Sequence, residues 1–115
     1  MSDAVLFDAR DDGIAVITLN RPEARNALSR DIREGLFTAW DRFERDPALR
    51  VAILTGSGDK AFCAGGDLKE MTELRLKVPP PDMFPVPGDS IELTKPTIAA
   101  VNGVAFAGGW MIAQA

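Results

Sequence analysis

The stretch between residues 14 and 55 constrains the fold most. IAVITLN (14–20) and RVAILT (50–55) are apolar, β-branched runs suited to strands. Between them Ile32, Leu36, Trp40 and Phe43 recur at i, i+4, i+8 and i+11, which is one apolar face of a helix. Ser29 supplies an N-cap for that helix, which runs to about Arg45 before Asp46-Pro47 ends it. Strand, helix and strand in this order predict a right-handed parallel crossover, with 50–55 as a buried parallel strand. Upstream, VLFDA (5–9) faces 14–20 across a turn containing Asp12-Gly13, which predicts a hairpin. NRPEARNA (20–27) then leaves the strand as a loop, because Pro22 bars regular pairing. The fold class is α/β.

Downstream, GSGDKAFCAGG (56–66) reads as a loop, and Asp67 opens a second helix, DLKEMTELRL. VPPPDMFPVPG (78–88) holds five prolines and reads as a surface loop. SIELTK (90–95) suggests a short helical turn. TIAAVN (97–102) reads as a third buried strand, GVAFAGG (103–109) as a loop and WMIAQA (110–115) as a helix. That helix carries no C-terminal stop signal at Ala115. Residues 1–115 are therefore expected to be the N-terminal part of a single larger domain.

The net charge of −4 argues against nonspecific nucleic-acid binding, while local Lys or Arg residues still allow an anionic small ligand. No apolar run approaches the roughly 20 residues of a membrane span, and the acidic N-terminus lacks a signal-peptide pattern. One Cys and no His exclude an internal disulfide and argue against a zinc site. These features fit a cytoplasmic protein with no metal.

Two glycine pairs carry the chemistry: FCAGGDL (62–68) and VAFAGGW (104–110). Each follows an apolar strand by way of a loop, and each feeds a helix. Neither places a Ser or His nucleophile in the turn, and Cys63, with no His to activate it, reads as a small buried packing residue. Glycine admits a ligand close to the backbone, and helix starts present unpaired N–H groups. The functional groups are then the amides themselves. Two of them converging on one point would form an oxyanion hole. Glycine pairs that merely permit tight turns are the bland alternative. GSGDKA (56–61) matches a dinucleotide fingerprint after a strand, but FCAGG intervenes before any helix, which sets that reading aside.

Three stretches, ITLNRPEARNAL (17–28), VAILTGSGDKAFCAGGDLKEM (51–71) and KPTIAAVNGVAFAGGW (95–110), together resemble the crotonase, or enoyl-CoA hydratase/isomerase, superfamily in order and spacing. The resemblance implies a spiral of strand–helix (ββα) units, incomplete at the C-terminus. It implies an acyl-CoA substrate whose thioester oxygen accepts two backbone N–H groups, from Gly66 and Gly108, as an enolate forms. It puts coenzyme A contacts at Arg25, Ala27, Ala64, Asp67 and Leu68. Coenzyme A enters as part of the substrate, with no separate cofactor. Arg25, Lys60 and Lys69 are candidate phosphate partners by charge. A homotrimer or hexamer is also implied. Family hydratases carry a glutamate three residues after the second oxyanion glycine; here that position is Met111, which leaves two-carboxylate hydration in doubt. Trp110 beside it reads as packing. A noncatalytic acyl-CoA-binding or structural homologue is the alternative reading.

Overall fold

A computed structural model describes residues 3–73 and 83–115. Strands β1 (Val5–Ala9) and β2 (Ile14–Leu19) form the expected antiparallel hairpin, with Val5 opposite Leu19 and Ala9 opposite Ala15. Gly13 closes the turn at φ +86°, the left-handed region that favours glycine. Helix α1 (Arg30–Arg45) starts as expected: Ser29 Oγ accepts from Ile32 N–H at 3.4 Å. It ends at Asp46, ahead of Pro47.

α1 connects β2 to β3 (Val51–Gly56), and these two strands pair in parallel, Ala15 with Ala52 and Ile17 with Leu54. A second parallel pairing joins β3 to a strand at Thr97–Ala100, giving a sheet in which the hairpin lies at one edge and Thr97–Ala100 at the other. In β2 and β3 every second residue is buried. Ala15, Ile17, Leu19, Ala52 and Leu54 thereby form one face, and Ile32, Leu36, Trp40 and Phe43 of α1 belong to the same core. The helical period of 3.6 and the strand period of 2 thus meet in one apolar layer.

Several expectations need correction. The segment 56–66 is not wholly a loop: β4 (Ala61–Cys63) lies inside it, buried throughout. The strand at Thr97–Ala100, β5 in chain order, is an edge with Ile98 exposed, because β3 pairs with it on one side only among the described residues. β3 alternates between buried and half-buried residues instead of being buried on both faces. The stretch 103–109 contains β6 (Val104–Ala105), which pairs in parallel with β4 in a separate two-stranded sheet. Helix α3 (Gly108–Gln114) begins two residues earlier than its sequence suggests. Residues 90–95 form no helical turn; Gly88–Ser90 turn, and Ile91 bridges back to Pro87. Of the proline-rich segment, 78–82 lie outside the described residues, while Pro85 and Val86 are buried instead of lying on the surface. Helix α2 (Leu68–Glu73) occupies the expected place, and 74–76 lie outside the described residues. No helix among the described residues is long and apolar enough to cross a membrane.

The C-terminal end of α1 is held by a residue distant in sequence. Lys95 Nζ donates to the carbonyls of Phe43 at 2.8 Å and Asp46 at 2.7 Å, and its charge lies 5.1 Å from the centre of the Phe43 ring. Cations at a helix C-terminus satisfy orphan carbonyls and complement the dipole. Lys95→Ala in the full-length protein is expected to lower the unfolding free energy by about 2 kcal/mol. Urea denaturation checks this, and an unchanged midpoint contradicts the capping role.

Candidate functional site

The site is built where the loop after β2 meets the turn after β4. Pro22–Ala24 make one turn of 3-10 helix, after which Arg25 and Asn26 take φ of 52° and 55°. Two successive left-handed residues outside glycine are unusual, and asparagine tolerates the region best. Asn26 is fully buried, and its side chain supplies bonds that regular structure would otherwise make. Its Oδ1 accepts from Arg21 N–H at 2.8 Å. Its Nδ2 donates to the carbonyls of Ser57 and Ala61, each at 3.1 Å.

That geometry lays 25–28 alongside 64–66. Ala64 N–H donates to Arg25 O at 3.0 Å and Leu28 N–H to Gly65 O at 2.6 Å, and Leu28 bridges Gly66 in parallel. The two segments that the resemblance assigns to coenzyme A, Arg25 with Ala27 and Ala64 with Asp67 and Leu68, are therefore brought together. Asp67 also acts locally, since its Oδ1 accepts from Glu70 N–H at 3.0 Å and so caps α2. Leu68 is 79% exposed. Arg25 and Lys60 line one pocket of about 190 Å³ with Pro22, Ser57 and Gly58. Lys69 is exposed on α2 and does not line that pocket.

The two glycine turns pack directly on each other. Gly65 has φ +94°, and a Cβ there would lie 2.8 Å from Phe106 O and 3.5 Å from Gly108 N. A Cβ on Gly109 would lie 2.1 Å from Cys63 O, an impossible overlap. Both positions need glycine, one for backbone conformation and close approach, the other for close approach alone. A Cβ on Gly108 would lie 4.0 Å from Gly65 Cα. Phe106 N–H donates to Cys63 O at 3.1 Å and stitches the turns together. Among the described residues, neither Gly66 N–H nor Gly108 N–H donates to a protein acceptor. Gly108 is the first residue of α3, after Ala107 at φ 47°.

Asn102, expected at the end of a strand, lies past β5 and works as a second clamp. Its Oδ1 accepts from Gly56 N–H at 3.0 Å, and its Nδ2 donates to Gly58 O at 3.1 Å and Ala61 O at 3.4 Å. Sequence reasoning singles out neither Asn26 nor Asn102. The only local signal is an asparagine placed after a turn residue or after a strand, which is common in loops. Trp110, expected to pack, is 57% exposed, and Met111 is 46% exposed.

Residues 9–115 match the sequence profile of the enoyl-CoA hydratase/isomerase family, and the chain belongs to that family. It is 47% identical over 109 residues to the enoyl-CoA hydratase EchA19 of Mycobacterium tuberculosis, a match covering 86% of this chain and 39% of the relative. It is 42% identical over 112 residues to the (E)-benzylidenesuccinyl-CoA hydratase of Thauera aromatica, covering 89% of this chain and 41% of the relative. Among solved structures, a carnitinyl-CoA dehydratase from Mycobacterium avium 104 superposes with a TM-score of 0.77 at 42% identity, covering 95% of this chain and 43% of that one. The fold is thus the mixed α/β crotonase fold, and this chain spans about two-fifths of the length of these relatives.

Cys63 is buried, as expected of a packing residue. Burial pushes its thiol from 9.0 up to about 11, with the Gly65 N–H bond to sulfur opposing the shift weakly. A raised folded value means stability is full below pH 9, where the thiol is neutral in both states. It is lost between pH 9 and about 11, as the unfolded thiol ionises and the folded one does not. The full-length protein is expected to lose on the order of 2 kcal/mol more across that window than Cys63→Ala does. Equal slopes for the two proteins in denaturation at successive pH values contradict this.

Proposed function

We propose that this chain supplies the acyl-CoA-binding and charge-stabilising part of an enoyl-CoA hydratase/isomerase-type enzyme. Membership of the family supports the acyl-CoA substrate class. The observation that carries the finer reading is the contact between the two glycine turns, with Gly66 and Gly108 N–H unengaged by protein acceptors among the described residues. In this reading the thioester oxygen accepts both N–H groups. When a base supplied from outside these two turns takes the α-proton, the electron pair of the C–H bond moves into the enolate and charge collects on that oxygen. The two amides oppose that charge in a site where nothing needs to reorganise. Loss of one such donor costs on the order of 3 kcal/mol of transition-state stabilisation in other enzymes. Arg25 and Lys60 hold a coenzyme A phosphate as cations at one pocket, and Lys69 has no part in it.

Met111 shapes the reaction class. A thioether neither donates nor takes up a proton near neutral pH. This chain therefore contributes no carboxylate at the position where the resemblance places the first hydratase glutamate. Chemistry that needs a single base, such as double-bond isomerisation, is the form favoured here. A noncatalytic acyl-CoA-binding homologue is the second reading, and Met111 is the observation that favours it. The resemblance further suggests a homotrimer or hexamer.

Calorimetry of the full-length protein with an acyl-CoA is expected to show binding. Arg25→Ala and Lys60→Ala should each weaken it by about three- to tenfold, and Lys69→Ala should leave it unchanged. No binding at about millimolar ligand overturns both coenzyme A readings. With binding established, exchange of the acyl α-proton with solvent separates enzyme from binder. Met111→Glu is expected to raise crotonyl-CoA hydration on the order of 100-fold. Unchanged hydration in a protein that has the second carboxylate contradicts the role given to position 111.

A further inference from the structure

We infer that Glu70 and Arg33 are positioning residues that fix the orientation of the Gly66 amide; this rests on the oxyanion reading above. Gly65 and Gly66 are adjacent, and a glycine pair has more backbone freedom than any other dipeptide. An amide that must meet a developing charge cannot be left to wander. The structure closes a ring of contacts around it. On one side Gly65 O accepts from Leu28 N–H at 2.6 Å. On the other, Asp67 Oδ1 accepts from Glu70 N–H at 3.0 Å. Glu70 then reaches across to α1: its Oε2 accepts from Arg30 N–H at 2.8 Å, and its Oε1 forms an ion pair with Arg33 Nη1 at 2.6 Å but accepts no hydrogen bond among the described residues. Arg33 Nη1 completes the ring by donating to Leu28 O at 2.8 Å. Leu28 is therefore gripped at both its N–H and its C=O, and the Gly65–Asp67 segment is held at both ends.

A neighbouring pair shows what an ordinary surface interaction looks like here. Arg30 and Glu34 pair at 2.9 Å within one helix, with side chains 76% and 64% exposed. Such pairs contribute little. The Arg33 and Glu70 side chains are only 11% and 22% exposed, and they join α1 to α2 between residues 37 positions apart in the chain. Arginine and glutamate are seldom this buried, and apolar residues of similar volume would serve stability as well. What Glu70 adds is direction, through the hydrogen bond its Oε2 accepts from Arg30 N–H beside the ion pair. It fixes the start of α2 against the start of α1, and hence the turn that carries Gly66.

The test uses the full-length protein and acetoacetyl-CoA, whose α-proton passes to buffer while the electron pair moves into an enolate with its own near-ultraviolet absorbance. The enolate fraction of bound ligand reads charge stabilisation without turnover. Glu70→Ala is expected to lower the enolisation constant about tenfold, while the affinity for acetyl-CoA, which stays un-ionised, changes by less than about twofold. Glu70→Gln, which keeps an acceptor for Arg30 N–H, should recover part of the loss. Glu34→Ala should match the wild type. If Glu70→Ala does not melt cooperatively, Glu70→Asp carries the test, since it keeps the charge and shortens the reach by one methylene. Wild-type enolate absorbance in the variant that folds overturns the inference, as does a parallel loss of acetyl-CoA affinity. Absence of the enolate in the wild type itself overturns the oxyanion reading and this inference with it.

Discussion

The carbonyl of Ala61 is the point on which the site is hung. Two asparagines from opposite ends of the chain donate to it, Asn26 at 3.1 Å and Asn102 at 3.4 Å. Each also binds other backbone groups of the loop between β3 and β4. That loop makes too few regular backbone bonds to fix itself, and a buried polar group left unpaired costs about 1–3 kcal/mol. Side-chain amides, with donors and an acceptor on one planar group, can satisfy several such groups at once. The clamp aligns β4, and β4 leads directly into Ala64, Gly65 and Gly66. Packing is equally tight around it: a Cβ on Gly56 would lie 2.9 Å from Ala61 O, and one on Gly103 would lie 2.8 Å from Ala61 N.

From this point the architecture and the proposed chemistry follow in one line. The parallel strands β2, β3 and β5, packed with α1, give a platform whose C-terminal ends lead into loops on one side, where α/β proteins commonly bind ligands. The clamp sets β4 over those ends. β6 pairs with β4, so the two strand-to-helix turns arrive side by side, and the glycines at 65 and 109 permit contact that any side chain would block. The enoyl-CoA hydratase/isomerase family membership and the superposition on a carnitinyl-CoA dehydratase place this arrangement in the crotonase fold.

Much of this is legible in the sequence, and the divide is physical. The hairpin, α1 and the β2–β3 pairing come from periodicities that span enough residues to be read locally. β4 and β6 escape such a reading because strands of three and two residues cannot display an alternation; each exists by virtue of the other, some 40 residues away. β5 and β3 are less buried than their sequences suggest, because an apolar run does not say how many faces are covered. The helical turn expected over 90–95 does not form because Ser90 is used instead in a side-chain turn with Phe84 and Val86. Within the site, the AGGD and RNA segments are recognisable through resemblance. Their meeting depends on Asn26, which bonds Ser57 and Ala61, 31 and 35 residues on, and the alignment of Gly66 on Arg33 and on Glu70, which bonds Arg30 40 residues back. No local pattern marks those residues.

A crystal structure of the full-length protein with a non-reactive acyl-CoA tests the account most directly, through two distances measured from the thioester oxygen. Donors that stabilise a developing oxyanion lie about 2.7–3.1 Å from it. The account requires Gly66 N and Gly108 N both to fall within that range. A thioester oxygen farther than about 3.5 Å from either nitrogen, or either N–H turned onto a protein carbonyl, would contradict it.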